Sequence, residues 1–174
     1  MRQQPTDFRA IELLVLDVDG VLTDGGLIIH SDGSESKRFH TLDGHGIRLW
    51  QRAGGKVALI SGRTSAPVDR RAEELGISYV LQDCHSKLPA LEQLLRDAGL
   101  KAENAAYVGD DLMDLPPMRR VGFAVAVANA AEEIKAHADY VTARAGGSGA
   151  VREVIEYILK NSGRWDDLMS RYLA

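Results

Sequence analysis

The stretch that decides the fold of this chain is residues 13–23, LLVLDVDGVLT. It begins with a continuous apolar run, which is typical of a strand covered on both faces of a parallel sheet. Two aspartates and a glycine follow that run directly. Ligands of open α/β sheets bind at the carboxyl ends of the strands. The stretch therefore predicts a fold class and the place of a site together.

Similar apolar runs recur along the chain and alternate with segments of helical spacing. The sequence predicts further strands at 56–60, 79–81, 105–108 and 123–127, and helices at 46–53, 67–75, 87–98 and 149–161. Strand followed by helix, repeated along the chain, predicts a doubly wound, mostly parallel α/β sheet of the Rossmann-like type. The alternation does not predict the order of the strands in the sheet.

One segment interrupts the alternation directly after the first strand. Two short extended runs flank the turn residues Asp32 and Gly33, which predicts a small β-hairpin inserted over residues 24–40. A length of 174 residues is typical of one domain. We therefore expect a single domain over 1–174, with residues 162–174 as a C-terminal tail.

Composition limits the partners that we expect. The net charge is −4 and the basic residues are scattered, so nothing favours nucleic acid as a partner. Cys84 is the only cysteine, which excludes an internal disulfide and fits a reducing compartment. The first apolar run is far too short to span a bilayer. A cytoplasmic protein without a membrane partner is the resulting expectation.

Four polar clusters each follow one of the predicted strands. They lie at 17–23, 61–63, 86–87 and 109–114. Because the carboxyl ends of parallel strands share one edge of the sheet, these clusters are expected to converge on one site.

The acidic residues of these clusters suit phosphoryl transfer. Asp17, Asp19 and Asp110 would repel one another strongly unless a hard cation lay between them, and oxygen ligands of this kind favour Mg²⁺. Asp17 can attack phosphorus to form an aspartyl-phosphate. Asp19, two residues further on, can protonate the leaving alcohol and later activate water. Asp111 and Asp114 either cap the next helix, orient Asp110 or reach the metal.

The remaining polar residues of the clusters support the same chemistry. Lys87 supplies a fixed positive charge where carboxylate and phosphate crowd together in the transition state. The hydroxyl of Ser61 or Thr23, with the backbone N–H groups after Asp17, can hold the phosphate oxygens.

In order and spacing, the four clusters resemble the motifs of the haloacid dehalogenase-like phosphatases. In that family the first aspartate is the nucleophile and the second is the acid/base. The resemblance implies that Mg²⁺ is bound by the Asp17 carboxylate, the Asp19 backbone carbonyl and Asp110. It also implies that Asp17, Asp19, Lys87 and Ser61 form the catalytic set.

A closer resemblance runs over nearly the whole chain. The segments 17–25, 39–47, 107–111 and 145–153 resemble the capless subfamily that hydrolyses 3-deoxy-D-manno-octulosonate 8-phosphate. This implies release of phosphate from that sugar acid through an aspartyl-phosphate on Asp17, in lipopolysaccharide sugar biosynthesis. It further implies a cytosolic homotetramer.

The same resemblance implies a set of substrate contacts. Carried over by position, they are Asp19, His40, Thr41, Leu42, Asp43, Gly44, Arg48, Arg63, Arg71 and Lys87. A phosphorylated keto-acid sugar carries two anionic ends, and the planar fork of arginine suits a carboxylate well.

Three alternatives stay open at this point. A phosphatase for a related nine-carbon keto-acid sugar phosphate would use the same arginines. A non-catalytic, oligomerising relative of the fold would not need the intact aspartates and lysine of the four clusters. A phosphoryl-receiver domain also gathers aspartates around a lysine, but its acceptor aspartate follows a middle strand, whereas Asp17 follows the first.

Overall fold

A computed structural model of the chain describes residues 6–173. Eight strands lie within this part of the chain. They are β1 (Leu13–Leu16), β2 (Ile28–Ile29), β3 (Glu35–Ser36), β4 (Lys56–Ile60), β5 (Tyr79–Leu81), β6 (Ala105–Gly109), β7 (Phe123–Ala126) and β8 (Tyr140–Val141).

Helices connect most of these strands. They are α1 (Thr41–Arg52), α2 (Ala66–Leu75), α3 (Lys87–Ala98), α4 (Leu115–Met118), α5 (Glu132–Lys135), α6 (Ala150–Asn161) and α7 (Trp165–Leu173). Single 3₁₀ turns lie at Ala102–Asn104 and Leu112–Asp114. None of the helices within residues 6–173 is both long and apolar enough to cross a membrane.

Six strands form one sheet in the order β5-β4-β1-β6-β7-β8, and every pairing in it is parallel. Parallel crossovers are right-handed, so α1 and α2 cover one face while α3 and α4 cover the other. Helix α6 packs on α1, and α3 packs on α4. β1, β6 and β7 are buried along their whole length, which explains their continuous apolar runs. The predicted doubly wound α/β class is confirmed.

The strand order places the point of reversal between β1 and β6. The chain runs outward from β1 through β4 to β5, and then returns to the other side of β1 to form β6. The Asp17 amide still donates to the carbonyl of Val108, at 3.0 Å, so the two strands stay paired to their carboxyl ends. Asp17 and Asp110 therefore leave the sheet side by side, where the crevice of such a sheet opens.

Helix α1 begins earlier than the sequence predicts. The predicted helix began at Gly46, whereas α1 begins at Thr41 and carries glycines at positions 44 and 46, each of which weakens an isolated helix by about 1 kcal/mol. Packing requires them: a Cβ on Gly44 would lie 2.3 Å from Arg71 Nη2, and one on Gly46 would lie 3.0 Å from Arg152 Cδ. His40 caps this start, since its Nδ1 accepts a hydrogen bond from the Leu42 amide at 3.2 Å.

Two further elements differ from the expectation. Strand β8 was missed, because it has only two residues and is partly exposed, so it carries no apolar run. The C-terminal segment forms the helix α7, of which Leu168 is buried and Tyr172 contacts α1 through an Arg52 hydrogen bond of 2.8 Å.

The inserted segment forms the predicted hairpin in a shorter version. β2 and β3 pair antiparallel over two residues each, Ile28 with Ser36 and Ile29 with Glu35. The turn closes through the His30 amide and the Ser34 carbonyl, 2.8 Å apart. Apolar side chains of its first strand stay exposed, with Ile29 67% accessible.

Candidate active site

Three charged side chains meet in a buried row beyond the ends of β1 and β6. Lys87, the first residue of α3, places its Nζ 2.7 Å from Asp17 Oδ1 and 2.7 Å from Asp114 Oδ1. Asp17 and Lys87 are only 6% and 5% exposed, and Asp114 is fully buried. Buried charges of this kind persist only when they are paired. The row therefore fixes the Lys87 ammonium directly beside the Asp17 carboxylate.

Both oxygens of Asp114 are fully used. Oδ1 accepts from Lys87 and from the Tyr107 hydroxyl at 2.8 Å, and Oδ2 accepts from the amides of Asp110 and Asp111 at 2.9 and 3.3 Å. A carboxylate offers about four acceptor positions. Asp114 lies within 4.8 Å of the other two carboxylates, but with these bonds made it orients its neighbours and has no position left for a cation.

Asp110 has the opposite environment. Its Oδ1 is buried and makes no hydrogen bond among the described residues. It shares a cluster with Asp17 in which one oxygen of each lies within 4.8 Å of the other. An orphaned buried acceptor next to a second carboxylate calls for a cation. Of the two acidic residues left open by the sequence, Asp111 caps the following 3₁₀ turn through the Leu112 amide, at 2.7 Å.

The same crowding perturbs the titration of the site. Burial, and then the charge of Asp114, raise the pKa of Asp17 well above its ordinary value. The same two causes raise the pKa of Asp110 to about 6. Burial lowers the pKa of Lys87, but the charges of Asp17 and Asp114 outweigh it and leave that pKa raised. Perturbed groups that converge in a crevice are typical of an active site.

Asp19 lies in a second group of charges, which the hairpin completes. Its Oδ1 pairs with the Lys37 ammonium, and its Oδ2 lies 3.8 Å from Arg63 Nε. Arg63 also pairs with Glu35, at 3.1 Å. The sequence interpretation did not identify Lys37 or Glu35 as site residues. The alternation of residues 35–38, in which charged side chains stand two apart, is the signal that could have found them.

The two hydroxyls considered for phosphate binding differ in availability. Ser61 is buried at the end of β4, and its Oγ accepts from the Arg63 amide at 3.2 Å, which leaves its O–H free to donate. The Thr23 hydroxyl closes its own loop instead, through the Gly20 and Gly25 amides and the Val18 carbonyl.

The predicted substrate contacts at the start of α1 have structural bonds of their own. The Asp43 carboxylate is 1% exposed and accepts from the amides of Gly149 and Arg152, at 3.2 and 2.8 Å. Burial raises its pKa. Thr41 and Leu42 are exposed on the first turn of the helix. Asp43 thus joins α1 to α6, while a contact with substrate stays a prediction for this stretch.

Arg48 and Arg71 meet at the end of α2. Arg48 Nη2 donates to the Glu74 carbonyl at 2.6 Å, and Arg71 pairs with the Glu74 carboxylate at 2.8 Å. The Arg71 guanidinium also lies 5.8 Å from the centre of the Phe39 ring. Both arginines therefore make these bonds on the α1–α2 face, and their contact with substrate stays a prediction.

Comparison with known proteins identifies relatives of this chain. The model of the haloacid dehalogenase-like hydrolases matches residues 80–155. The chain is 46% identical over 157 residues to the 3-deoxy-D-manno-octulosonate 8-phosphate phosphatase KdsC of Escherichia coli (strain K12), covering 90% of this chain and 84% of the relative.

Solved structures agree. A 3-deoxy-D-manno-octulosonate 8-phosphate phosphatase from Moraxella catarrhalis, in complex with a magnesium ion, a phosphate ion and KDO, matches with a TM-score of 0.92. It is 44% identical, with 95% of each chain covered. The cobalt-bound enzyme from Haemophilus influenzae matches with a TM-score of 0.87 and 40% identity, over 90% of this chain and 91% of that one.

Proposed function

The chain belongs to the 3-deoxy-D-manno-octulosonate 8-phosphate phosphatases of the haloacid dehalogenase-like hydrolases, and from this we propose that it releases phosphate from that sugar acid in lipopolysaccharide sugar biosynthesis. The observation that carries the proposal is the Lys87 ammonium held 2.7 Å from Asp17, beside an Asp110 carboxylate whose Oδ1 has no hydrogen-bond partner. This is an arrangement for attack by a carboxylate on a phosphate.

Mg²⁺ fits the carboxylates at this edge of the sheet. The Asp17 and Asp110 carboxylates, with the Asp19 backbone carbonyl, would hold it, because Asp114 is occupied by its own hydrogen bonds. When bound, the cation neutralises the crowded carboxylates and phosphate and stabilises the charge that develops on the phosphoryl group.

In the first step, each of the chain's own catalytic residues has a separate role. An Asp17 carboxylate oxygen attacks phosphorus while the bond from phosphorus to the sugar oxygen breaks, which leaves an aspartyl-phosphate. Asp19 gives its proton to the departing sugar oxygen. Lys87 and the Ser61 hydroxyl stabilise the phosphoryl oxygens, and Lys87 needs no reorganisation because Asp114 holds it in place.

The second step returns the enzyme to its starting state. Asp19, now a carboxylate, takes a proton from water, and the water oxygen attacks phosphorus. The bond between phosphorus and Asp17 breaks, which frees inorganic phosphate and regenerates the Asp17 carboxylate.

Selection of a sugar acid is assigned to the cationic residues beside this centre. Arg63 lies next to Asp19, and its guanidinium suits the substrate carboxylate or a ring hydroxyl. Arg48, Arg71 and residues 40–44 belong to the same proposal by their position in the family motif.

We extend the proposal to the assembly and its location. A homotetramer is supported by the hairpin, because its consecutive apolar residues Leu27, Ile28 and Ile29 are all exposed and would remain in contact with water in a monomer. A cytoplasmic location is supported by the single cysteine, which excludes an internal disulfide and fits a reducing compartment.

The proposal is tested by phosphate release from a panel of phosphomonoesters, with and without Mg²⁺. We expect turnover of 3-deoxy-D-manno-octulosonate 8-phosphate that requires Mg²⁺, less turnover of a nine-carbon keto-acid 9-phosphate, and very little of glucose 6-phosphate. Asp17→Asn should abolish turnover, and Asp167→Asn, an exposed acid on α7, should not change it. Equal rates across the panel, or an active Asp17→Asn enzyme, would refute the proposal.

A further inference from the structure

The hairpin sends alternate side chains toward and away from the active site. Successive residues of an extended strand point to opposite sides. Glu35 and Lys37 point inward, and their side chains are 17% and 1% exposed. Arg38, the next residue, points outward with 73% of its side chain exposed and pairs with Asp24. Of the two adjacent cationic residues, Lys37 points into the site and Arg38 points away from it.

The Lys37 ammonium is buried against a single near carboxylate, that of Asp19. Glu35 adds a further favourable charge, since Lys37 contributes to the lowering of the Glu35 pKa, after the Ser65 hydroxyl. An ammonium that has lost water must keep its ion pair. The pair with Asp19 is therefore a fixed feature of the folded chain, unlike a mobile surface contact.

The contact with Lys37 gives the two carboxylate oxygens of Asp19 different surroundings. Oδ1 carries the Lys37 hydrogen bond, whereas Oδ2 lies 3.8 Å from Arg63 Nε, beyond hydrogen-bond distance. Among the described residues Oδ2 therefore accepts no hydrogen bond, which leaves it available to a ligand. An aspartate two residues after the nucleophile has rotatable side-chain bonds, so without an anchor its open oxygen would not keep one direction.

We propose that Lys37 is a positioning residue that anchors Asp19 Oδ1 and so directs Oδ2 at the leaving oxygen of the substrate. The proposal rests on the proposed function, in which Asp19 transfers the proton. It gives the hairpin a part in turnover, because the hairpin is what carries Lys37 to Asp19. It also explains why this short hairpin insertion contains a buried lysine.

The test compares substrates that differ in their need for a proton. An alkyl leaving group such as the sugar 8-oxygen needs Asp19, whereas 2,4-dinitrophenolate leaves without protonation. Lys37→Met should lower kcat/KM for the sugar-acid phosphate by about tenfold to a hundredfold, the cost of a misdirected catalytic group. The kcat/KM for 2,4-dinitrophenyl phosphate should fall less than about threefold, because it covers only the steps up to loss of the leaving group and not the later activation of water by Asp19.

Matched variants separate positioning from a general structural effect. Arg38→Met removes the neighbouring outward cation and should leave both rates unchanged. Lys37→Arg should restore most of the loss. In an Asp19→Asn enzyme, Lys37→Met should add no further loss, because its effect passes through Asp19. Equal losses on both substrates, or an additive loss in the Asp19→Asn enzyme, would overturn the proposal.

A structural readout keeps the two proposals apart. An enzyme that releases phosphate from neither substrate would contradict the proposed function itself. A crystal structure of Lys37→Met, or of Lys37→Gln if the methionine variant does not fold, should then show the Asp19 carboxylate rotated away from its native direction. An unchanged Asp19 carboxylate would overturn the anchoring role of Lys37.

Discussion

Asp110 lies so close to Gly20 that no side chain fits between them. A Cβ on Gly20 would fall 2.0 Å from Asp110 Oδ2, and Gly20 has a φ of +92°. The glycine of the first motif is therefore what allows the carboxylate of the last motif to reach the Asp17 loop. The motifs at the ends of β1 and β6 are fitted to one another by direct contact.

Gly20→Ala should weaken Mg²⁺ binding strongly, because Asp110 must move to make room. We expect a loss of at least about tenfold in Mg²⁺ affinity, as for other changes that displace metal ligands. Gly54→Ala is the matched control: Gly54 also has a positive φ, +86°, but nothing lies within 4 Å of its Cβ position. It should cost about 1–2 kcal/mol of stability and leave Mg²⁺ affinity unchanged in calorimetric titrations.

Mg²⁺ binding should weaken as the pH falls through about 6, the pKa of Asp110. A protonated carboxyl does not bind the cation, so affinity at pH 5 should be about tenfold lower than at pH 7. Titration of the metal-free enzyme with Mg²⁺ at several pH values measures this. Affinity that is the same at pH 5 and pH 7 would contradict it.

The thermal stability of the metal-free protein should change with pH in the opposite direction to its Mg²⁺ affinity. Since the folded-state pKa of Asp110 lies above its ordinary value of 3.8, its contribution to the stability of the metal-free protein is present at low pH and is lost as the pH rises through about 6. Mg²⁺ replaces the proton, so the increase in Tm on adding Mg²⁺ should be larger at pH 8 than at pH 5.

Asp43→Asn should destabilise the fold more than it affects substrate affinity. Both oxygens of Asp43 accept backbone hydrogen bonds from the start of α6, and asparagine would turn one acceptor into a donor. We expect a loss of about 1–3 kcal/mol in the free energy of unfolding, measured by urea denaturation. A raised KM without a loss of stability would instead indicate contact with the substrate.

Ile29→Asp should dissociate the proposed tetramer, because it places a charge in the exposed apolar face of the hairpin. Light scattering at micromolar concentration measures the mass. Val141→Asp changes an exposed apolar residue on the far edge of the sheet and should leave the mass unchanged. An Ile29→Asp protein of unchanged mass would exclude the hairpin from the contact between subunits.

The sequence predicts the central strands well, because strands that are buried on both faces appear as short, continuous apolar runs. The order of these strands in the sheet could not be predicted, because one continuous apolar run does not indicate which other run it pairs with. The first turn of α1, residues 41–45, was missed. Gly44 lies in this turn and packs closely against Arg71, a tertiary contact that supports helix where local propensity does not.

For the site, the positions after β1, β4 and β6 could be predicted because parallel strands end at one edge. What those residues bond to could not. Thr23 binds its own loop, and Asp114 is saturated by Lys87, Tyr107 and two amides. The Thr23 bonds depend on the exact conformation of residues 18–25, and the Lys87 bond to Asp114 joins residues that lie 27 apart in the sequence.

The reversal of the chain between β1 and β6 also bears on when the metal site can form during folding. Asp17 and Asp110 are separated in the chain by β4 and β5, which lie on the opposite side of β1 from β6. Capture of the cation thus reports that both halves of the sheet have joined. Contacts made after the rate-limiting step slow unfolding and leave the folding rate unchanged. Mg²⁺ should accordingly slow the unfolding of the native protein and leave its folding rate unchanged.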